Sequence, residues 1–441
     1  MSFPADTLPR EVFVRRRAEL LSRLEPGDIA LFRSAPEAIR NSDVHHEYRQ
    51  HSDLYYLTGF EEPNATLILA PGREKPVTIF VQGRDPKMEI WTGRRTGPEG
   101  ARRDYALDEA FEEKELSERL PAILDEADRL FYARGEDPAF DRRILEETEK
   151  GARRRQKQGK QPTVLSHPGE VLHEMRLIKT PDDQKALRRA TDITVAGHLQ
   201  AMKSARPGQR EYEVQATLEY TFRMQGSPRN GYPSIVASGE NATILHYVDN
   251  RAPLKKGELL LIDAGAEWGY FTGDVTRTFA PGGRFQGPAA DLYDAVLEAE
   301  QKAIAAIAPG NHIEAIHEIA LHSLVDSLLE LGLLEGSRDE VIETESYKQF
   351  FMHRTSHWLG MDVHDVGLYK RDGEWRPFVE GMVLTVEPGL YVAADDESVA
   401  PEFRGLGIRI EDDVLVTAVG HDVLTEAVPR EREAVEALTM G

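Results

Sequence analysis

Residues 259–278 read LLLIDAGAEWGYFTGDVTRT, and this stretch decides how the second half of the chain folds. An apolar strand ends in the carboxylate of Asp263, and a second carboxylate, Asp274, follows after a short polar and aromatic interval. A two-residue hairpin turn at Trp268-Gly269 would place Asp263 directly opposite Asp274, with Cβ atoms about 5 Å apart. Two carboxylates at that distance repel each other unless a proton or a cation lies between them. The hairpin therefore predicts a cation site, although two solvated carboxylates remain an alternative.

Two further carboxylates stand on apolar strands later in the chain. Glu387 ends the strand within GMVLTVEPG at 381–389, and Glu411 lies in the middle of IRIEDDVLV at 408–416. Arg409 shares a face with Glu411, because side chains alternate along a strand. A structural ion pair between Arg409 and Glu411 is thus the alternative to metal binding.

Three histidines, His353, His357 and His364, fall within twelve residues among apolar and glycine positions. A single histidine in such a segment is more often a hydrogen-bonded core residue, but three of them favour a site. Four carboxylates and one imidazole carry about −4 charges, which two divalent ions neutralise and one does not. Oxygen-rich ligands without sulfur suit manganese, cobalt or zinc better than copper.

Composition narrows the class of protein. The chain has 441 residues, of which 40% are hydrophobic and 29% charged, a globular balance at a length typical of two domains. The absence of cysteine excludes disulfides, thiolate catalysis and cysteine-bound metals. A net charge of −22 argues against a nucleic-acid partner. No apolar run of membrane-spanning or signal-peptide length is present, so we expect no membrane association and a cytoplasmic location.

The two halves of the chain differ in how strands and helices alternate. In residues 1–175, short apolar runs are separated by charge-rich helical stretches, which predicts an α/β domain with a mixed or parallel sheet. Thr180-Pro181-Asp182-Asp183 is typical of a helix start, so we place the domain boundary near residue 175. Residues 176–441 alternate long helices near 211–225, 289–308 and 312–333 with strand pairs, which predicts an α+β domain.

One histidine pair imitates a zinc-protease motif. Residues 317–322, HEIALH, resemble HExxH, but the second histidine stands one position too far along the chain. His317 and His322 therefore do not share a helical face. We expect a surface or half-buried helix here, and little loss of activity when either histidine is replaced.

Longer strings resemble a known family across nearly the whole chain. They resemble bacterial aminopeptidase P, the Xaa-Pro aminopeptidases of peptidase family M24, which have the pita-bread (creatinase/methionine aminopeptidase-like) fold. The strings are RNSDVHHEYRQHSDLYYLTGF at 40–60, EIWTGRRTGP at 89–98, LIDAGAEWGYFTGDVTRTF at 261–279, FMHRTSHWLGMDVHDVG at 351–367, GMVLTVEPGLY at 381–391 and RGLGIRIEDDVLV at 404–416.

The resemblance implies a creatinase-like α/β domain at 1–175 and a pita-bread catalytic α+β domain at 176–441. It implies a site with two divalent ions, manganese first and zinc or cobalt as options. It also implies an oligomer, a dimer or tetramer, acting on peptides that begin Xaa-Pro.

The implied metal ligands are Asp263, Asp274, His357, Glu387 and Glu411, with Asp274 and Glu411 bridging the ions. The implied catalytic residues are His246, His353, His364, Glu387 and Arg409, and the implied substrate contacts are His246, His353, His364, Tyr391 and Trp91. Tyr391 and Arg153 match pocket positions more weakly, and Trp91 and Asp43 match residues that a neighbouring subunit or the N-terminal domain brings near the pocket.

Three other functions share this fold. A prolidase would cut only dipeptides, but the intervals of 30 residues from His357 to Glu387 and 24 from Glu387 to Glu411 are shorter than those of prolidases. A methionine aminopeptidase usually lacks a large N-terminal domain. A non-catalytic pita-bread module would have lost the ligands, and here all five are present. An Xaa-Pro aminopeptidase is therefore the expected function.

Overall fold

The computed structural model describes residues 8–158 and 161–441. The first seven residues, on which the expectation of no signal peptide partly depends, lie outside the described residues. The chain divides into two compact units, Met1–Met175 and Arg176–Gly441. Within the described ranges, no helix is both long and apolar enough to cross a membrane.

The first unit is built on a six-stranded sheet in the order β6-β5-β4-β1-β7-β8. The sheet is mixed, since β1 pairs antiparallel with β4 and parallel with β7. Buried Ile29, Ile68 and Phe80 of the sheet share one core with Leu116 and Leu120. Its elements are α1 (Arg10–Arg23), β1 (Asp28–Arg33), β2 (Ile39–Asn41), β3 (Val44–His45), α2 (Ser52–Thr58), β4 (Thr66–Leu69), β5 (Val77–Val81), α3 (Pro86–Thr92), α4 (Gly97–Asp104), β6 (Glu109–Glu112), α5 (Leu116–Leu124), β7 (Arg129–Tyr132), α6 (Pro138–Gln158), β8 (Val164–Ser166) and α7 (Gly169–Leu177), which runs to the second unit.

The second unit is an α+β domain of small antiparallel sheets packed against long helices. Its elements are α8 (Pro181–Ser204), α9 (Glu211–Met224), β9 (Arg229–Asn230), β10 (Ile235–Ser238), β11 (Leu260–Ala264), β12 (Ala266–Trp268), β13 (Phe271–Thr272), β14 (Val275–Phe279), α10 (Pro288–Ala305), α11 (Ile313–Glu330), α12 (Arg338–Glu343), β15 (Lys370–Arg371), β16 (Glu374–Trp375), β17 (Val383–Val386), β18 (Gly389–Tyr391), β19 (Gly407–Arg409), β20 (Asp412–Val416), β21 (His421–Val423) and α13 (Arg432–Met440).

The helix start predicted at Thr180 is confirmed. The Thr180 hydroxyl accepts a hydrogen bond from the Asp183 backbone N–H, and the Asp183 carboxylate accepts one from the Thr180 backbone N–H. This reciprocal cap satisfies two groups that the first helical turn leaves without partners. The three long helices predicted downstream correspond to α9, α10 and α11.

Three groups of strands position the site. Strands β10, β11 and β14 form one sheet, and β17, β20 and β21 form another. An isolated antiparallel bridge between Thr276 and Glu411 joins the first sheet to the chain that enters β20. A second bridge, between Trp358 and Leu384, lays the histidine-rich segment along β17.

The hairpin turns one residue later than the sequence analysis placed it. Gly269 and Tyr270 have φ angles of 57° and 69°, as a type I′ turn requires. Trp268 stays in β12, where it packs against the hydrophobic core. Asp263 consequently pairs with Thr276, so the predicted direct pairing with Asp274 is wrong. The partner changes by two residues, and the two carboxylates therefore stay on the same face.

Candidate metal centre

A cavity of about 760 Å³ in the second unit gathers most of the predicted site residues. Its lining includes the five predicted metal ligands together with Arg409 and three histidines: Asp263, Asp274, His357, Glu387, Glu411, Arg409, His246, His353 and His364. The ligands come from chain positions far apart in sequence, so the fold itself creates this cluster.

Asp263 and Asp274 converge on one hydroxyl group. The Tyr232 hydroxyl lies 2.7 Å from Asp263 Oδ1 and also contacts Asp274 Oδ1. Asp274 precedes β14, and its backbone N–H donates to Asp413 Oδ2 at 3.0 Å. In the strand register, Asp263 lies opposite Thr276, two residues beyond Asp274. The Tyr232 hydroxyl thus bridges two carboxylates that do not pair directly.

Glu411 reaches the same face through the bridge to β14. Its backbone N–H donates to the Thr276 carbonyl at 3.1 Å. The Thr276 hydroxyl donates in turn to Glu411 Oε2 at 2.6 Å. Thr276 is the register partner of Asp263, so this pair of bonds fixes Glu411 beside Asp263 and Asp274.

His357 and Glu387 are brought together by the segment that runs beside β17. The backbone N–H of Glu387 donates to the Thr355 carbonyl at 2.8 Å, and that of Thr385 donates to the His357 carbonyl at 3.0 Å. His357 Nε2 lies 3.5 Å from Asp274 Oδ2 and 3.6 Å from Glu387 Oε1. Its Nδ1 lies 3.1 Å from the Trp358 carbonyl, a contact that directs Nε2 towards the carboxylates.

This donor set fits divalent metal ions. Asp274, His357 and Glu411 each present a ligand atom, and the three atoms lie within 4.8 Å of one another. Burial, reinforced by neighbouring carboxylates, raises the pKa of Asp274 and lifts that of Glu411 well above its usual range. Burial also raises the pKa of Glu387 to about 7. Burial alone would lower the pKa of His357, but Asp274 and Glu387 outweigh it and raise the value to about 9. The cluster therefore favours positive charge, which bound cations supply.

Arg409 connects the carboxylates to a buried tyrosine. Its guanidinium donates to Asp263 Oδ2 at 2.6 Å, to the Thr276 hydroxyl at 3.1 Å and to the Tyr391 hydroxyl at 2.9 Å. The Tyr391 hydroxyl also lies 2.9 Å from His353 Nε2. Tyr391 is only 2% exposed, so it stands behind the cavity wall and acts on the cavity through Arg409 and His353.

The other two predicted histidines, His246 and His364, are exposed on loops at the cavity. His246 follows a short 3₁₀ turn, Gly239–Thr243. The His364 ring packs edge-on against the His357 ring, with ring centroids 4.4 Å apart. Burial, followed by the charge of His357, lowers the pKa of His364, which favours its neutral form.

Three predicted pocket residues belong to the first unit. Trp91 is 84% exposed on α3. Asp43 is exposed between β2 and β3, and Arg153 is exposed on α6. Their predicted roles near the pocket stay predictions.

Tyr232 and His317 are among the cavity residues that were not predicted as site residues. Tyr232 precedes β10. It can be identified as a candidate site residue only from the pairing of Ile235 with Asp263, which brings this part of the chain next to the carboxylates. His317, which the sequence analysis set aside, is buried on α11 and lines the cavity, with Nδ1 2.9 Å from the Thr355 hydroxyl. His322 is exposed, which confirms that the two histidines do not share a face. That His317 is dispensable stays a prediction, and its contact with Thr355, in the segment that carries His357, argues against it.

Comparisons with known proteins agree with this architecture. The family model described as "Metallopeptidase family M24" matches residues 185–418, and that described as "Aminopeptidase P, N-terminal domain" matches residues 13–132. The Xaa-Pro aminopeptidase of Escherichia coli K12 is 40% identical over 439 residues, with 98% of each chain covered.

Solved structures match over the same length. Aminopeptidase PepP of Pseudomonas aeruginosa superposes with a TM-score of 0.95 at 45% identity, and 98% of each chain is covered. A variant of Escherichia coli aminopeptidase P in complex with substrate superposes with a TM-score of 0.93 at 40% identity, again with 98% of each chain covered. The family models match residues in both units, and these relatives cover 98% of the chain. The chain therefore belongs to the aminopeptidase P family, the Xaa-Pro aminopeptidases of metallopeptidase family M24.

Proposed function

We propose that this chain is an Xaa-Pro aminopeptidase that releases the first residue of peptides with proline in second position. The observation that carries the proposal is the convergence of four carboxylates and His357 at a cavity with four further histidines. Two divalent ions would be held there by Asp263, Asp274, His357, Glu387 and Glu411, the ligands that the family resemblance implies. We propose manganese as the resident metal, because an oxygen-rich set with one imidazole and no sulfur suits it.

Ions in this set supply Lewis acidity and lower the pKa of a bound water. The protein's own groups have separate roles. Glu387 accepts the proton of the attacking water and passes it to the departing proline nitrogen. His364 donates a hydrogen bond to the carbonyl oxygen as negative charge develops there. His246 and His353 hold the peptide backbone, while Arg409 keeps Asp263 in place through their 2.6 Å contact.

The proposed specificity has a simple chemical basis. A bond to proline is a tertiary amide with no N–H, so the site needs no acceptor at that position. Apolar side chains of Leu245, Val248, Ile313 and Trp375 line the cavity and suit a compact ring. The free amino group of the substrate would lie near Asp263, where the acidic set attracts it and restricts cleavage to the first bond.

Release of arginine from Arg-Pro-Pro by the manganese-loaded protein tests the proposal. We expect release from this tripeptide and none from Arg-Ala-Pro, a matched peptide without the tertiary amide. Activity on Xaa-Pro dipeptides alone would instead identify a prolidase. Absence of bound divalent metal, with no rescue by added manganese, would indicate a non-catalytic pita-bread module. A dimeric or tetrameric assembly and a cytoplasmic location stay predictions.

A further inference from the structure

The loop that carries His246 has little regular structure of its own. It joins β10 to β11 and contains the short 3₁₀ turn Gly239–Thr243 and an isolated bridge from Pro253 to Arg210. Leu245, His246 and Val248 line the cavity, and Val248 is 52% exposed. A loop of this kind needs anchors from elsewhere if His246 is to keep a fixed position.

Glu211, the first residue of α9, is a buried anchor for this loop. Its side chain is fully buried, and its carboxylate accepts five hydrogen bonds. Oε1 accepts from the Ser238 N–H and hydroxyl, both at 2.7 Å, and from Asn241 Nδ2 at 3.1 Å. Oε2 accepts from the Tyr247 hydroxyl at 2.9 Å and the Ala252 N–H at 2.8 Å.

These five bonds hold the loop at its start, its middle and its end. Ser238 closes β10, Asn241 lies in the 3₁₀ turn, Tyr247 is the neighbour of His246, and Ala252 begins the return towards β11. All five donors are uncharged, and the positive end of the α9 dipole favours a carboxylate at this position. A glutamine side chain would turn one of the two oxygens into a donor that faces other donors.

We propose that Glu211 is a positioning residue for His246, which it holds at the cavity by fixing loop 239–252. The inference rests on the proposed function, because it assigns His246 a contact with the peptide substrate. A carboxylate is required here, since it alone offers acceptors to all five donors at once.

Glu211→Gln is the central variant, and Glu213→Gln is its matched control. Glu213 lies in the same first turn of α9, is exposed, and caps the Arg210 N–H at 2.7 Å. We expect Glu211→Gln to lower kcat on Arg-Pro-Pro about 10- to 100-fold, from the loss of hydrogen bonds to a buried charge. The control should stay within about twofold of the wild type. Tyr247→Phe removes one of the five bonds, so it should show a smaller loss of the same kind and covers the case in which Glu211→Gln does not fold.

A double-mutant cycle separates positioning from general loss of structure. In a His246→Ala background, Glu211→Gln should lower kcat on Arg-Pro-Pro by less than a further factor of about two, because the histidine that Glu211 positions is already absent. Equal fold-losses in both backgrounds would overturn the proposal.

Hydrogen exchange gives a readout that does not depend on activity. In Glu211→Gln, amides in peptides covering 239–252 should exchange at least about tenfold faster, while those covering 353–364 should not change. Unchanged exchange in 239–252 would overturn the inference. If the wild type and the Glu213→Gln control both fail to cleave Arg-Pro-Pro, the proposed function fails, and the exchange result still decides whether Glu211 holds the loop.

Discussion

Replacing Arg277 with methionine should both destabilise the second unit and weaken metal binding. The guanidinium is fully buried, and it ties β14 to the chain that carries Glu411. Nη1 donates to the carbonyls of Thr276 at 2.9 Å and Glu411 at 2.7 Å. Nη2 donates to Asp412 Oδ1 at 2.8 Å, and further bonds reach two carbonyls at 428–429. Methionine has a similar length but no donors, so these acceptors would lose their partner.

The size of the effect follows from what Asp412 retains. Removing one partner of a buried ion pair costs about 3–5 kcal/mol. Arg430 Nη1 would still donate to Asp412 Oδ2 at 2.9 Å, and the Thr425 hydroxyl would still donate to Oδ1 at 2.5 Å. We therefore expect the lower end, about 3 kcal/mol of unfolding free energy. For a domain of this size that corresponds to a fall in Tm of about 6–12 °C.

Scanning calorimetry gives the Tm, and elemental analysis after dialysis gives the bound metal. Arg430→Met is the matched control, because Arg430 contacts Asp412 without touching the carbonyls of Thr276 or Glu411. It should lower Tm while leaving metal content near that of the wild type. The reasoning fails if the unfolding free energy of Arg277→Met lies within about 1 kcal/mol of that of the wild type. It also fails if Arg430→Met loses as much bound metal as Arg277→Met does.

Three further outcomes are expected. Glu411→Ala should lose activity and bound metal while circular dichroism shows a folded chain; a fully active variant would contradict its role as a ligand. His317→Ala should lower kcat/KM on Arg-Pro-Pro about fivefold, the cost of one hydrogen bond to Thr355, whereas the exposed His322→Ala should leave it unchanged; equal rates for the two variants would show that His317 is dispensable. Chelation should lower the calorimetric Tm by about 5–10 °C, because metal at 100 times its Kd contributes about 2.7 kcal/mol, and an unshifted transition would mean that metal binding and folding are not coupled.

Local signals in the sequence were sufficient for much of the fold. The cap at Thr180 and the three long helices depend on interactions within a few residues, and the structure has them as predicted. The strand end at Glu387 was likewise readable, since β17 stops at Val386. The end predicted at Asp263 was one residue early, because β11 runs to the buried Ala264.

Local sequence signals could not predict which distant segments come into contact. The bridge from Thr276 to Glu411 and the path of residues 355–359 beside β17 bring the site together, and no local pattern encodes either. Family resemblance supplied that connection. The position of His317 was misjudged for the same reason, since helical spacing shows that His322 points elsewhere but not which of the two faces a cavity.

The turn at Gly269-Tyr270 gives the β11–β14 hairpin a fixed length. A Cβ atom at Gly265 would lie 1.7 Å from the Gly273 carbonyl oxygen, so the two antiparallel segments approach there too closely for any side chain at Gly265. Inserting or deleting one residue in the turn would rotate every later position to the opposite face, and Asp274 would point away from Asp263. A change of length in this turn should therefore cost metal binding, whereas one at the exposed turn near Val419 should not.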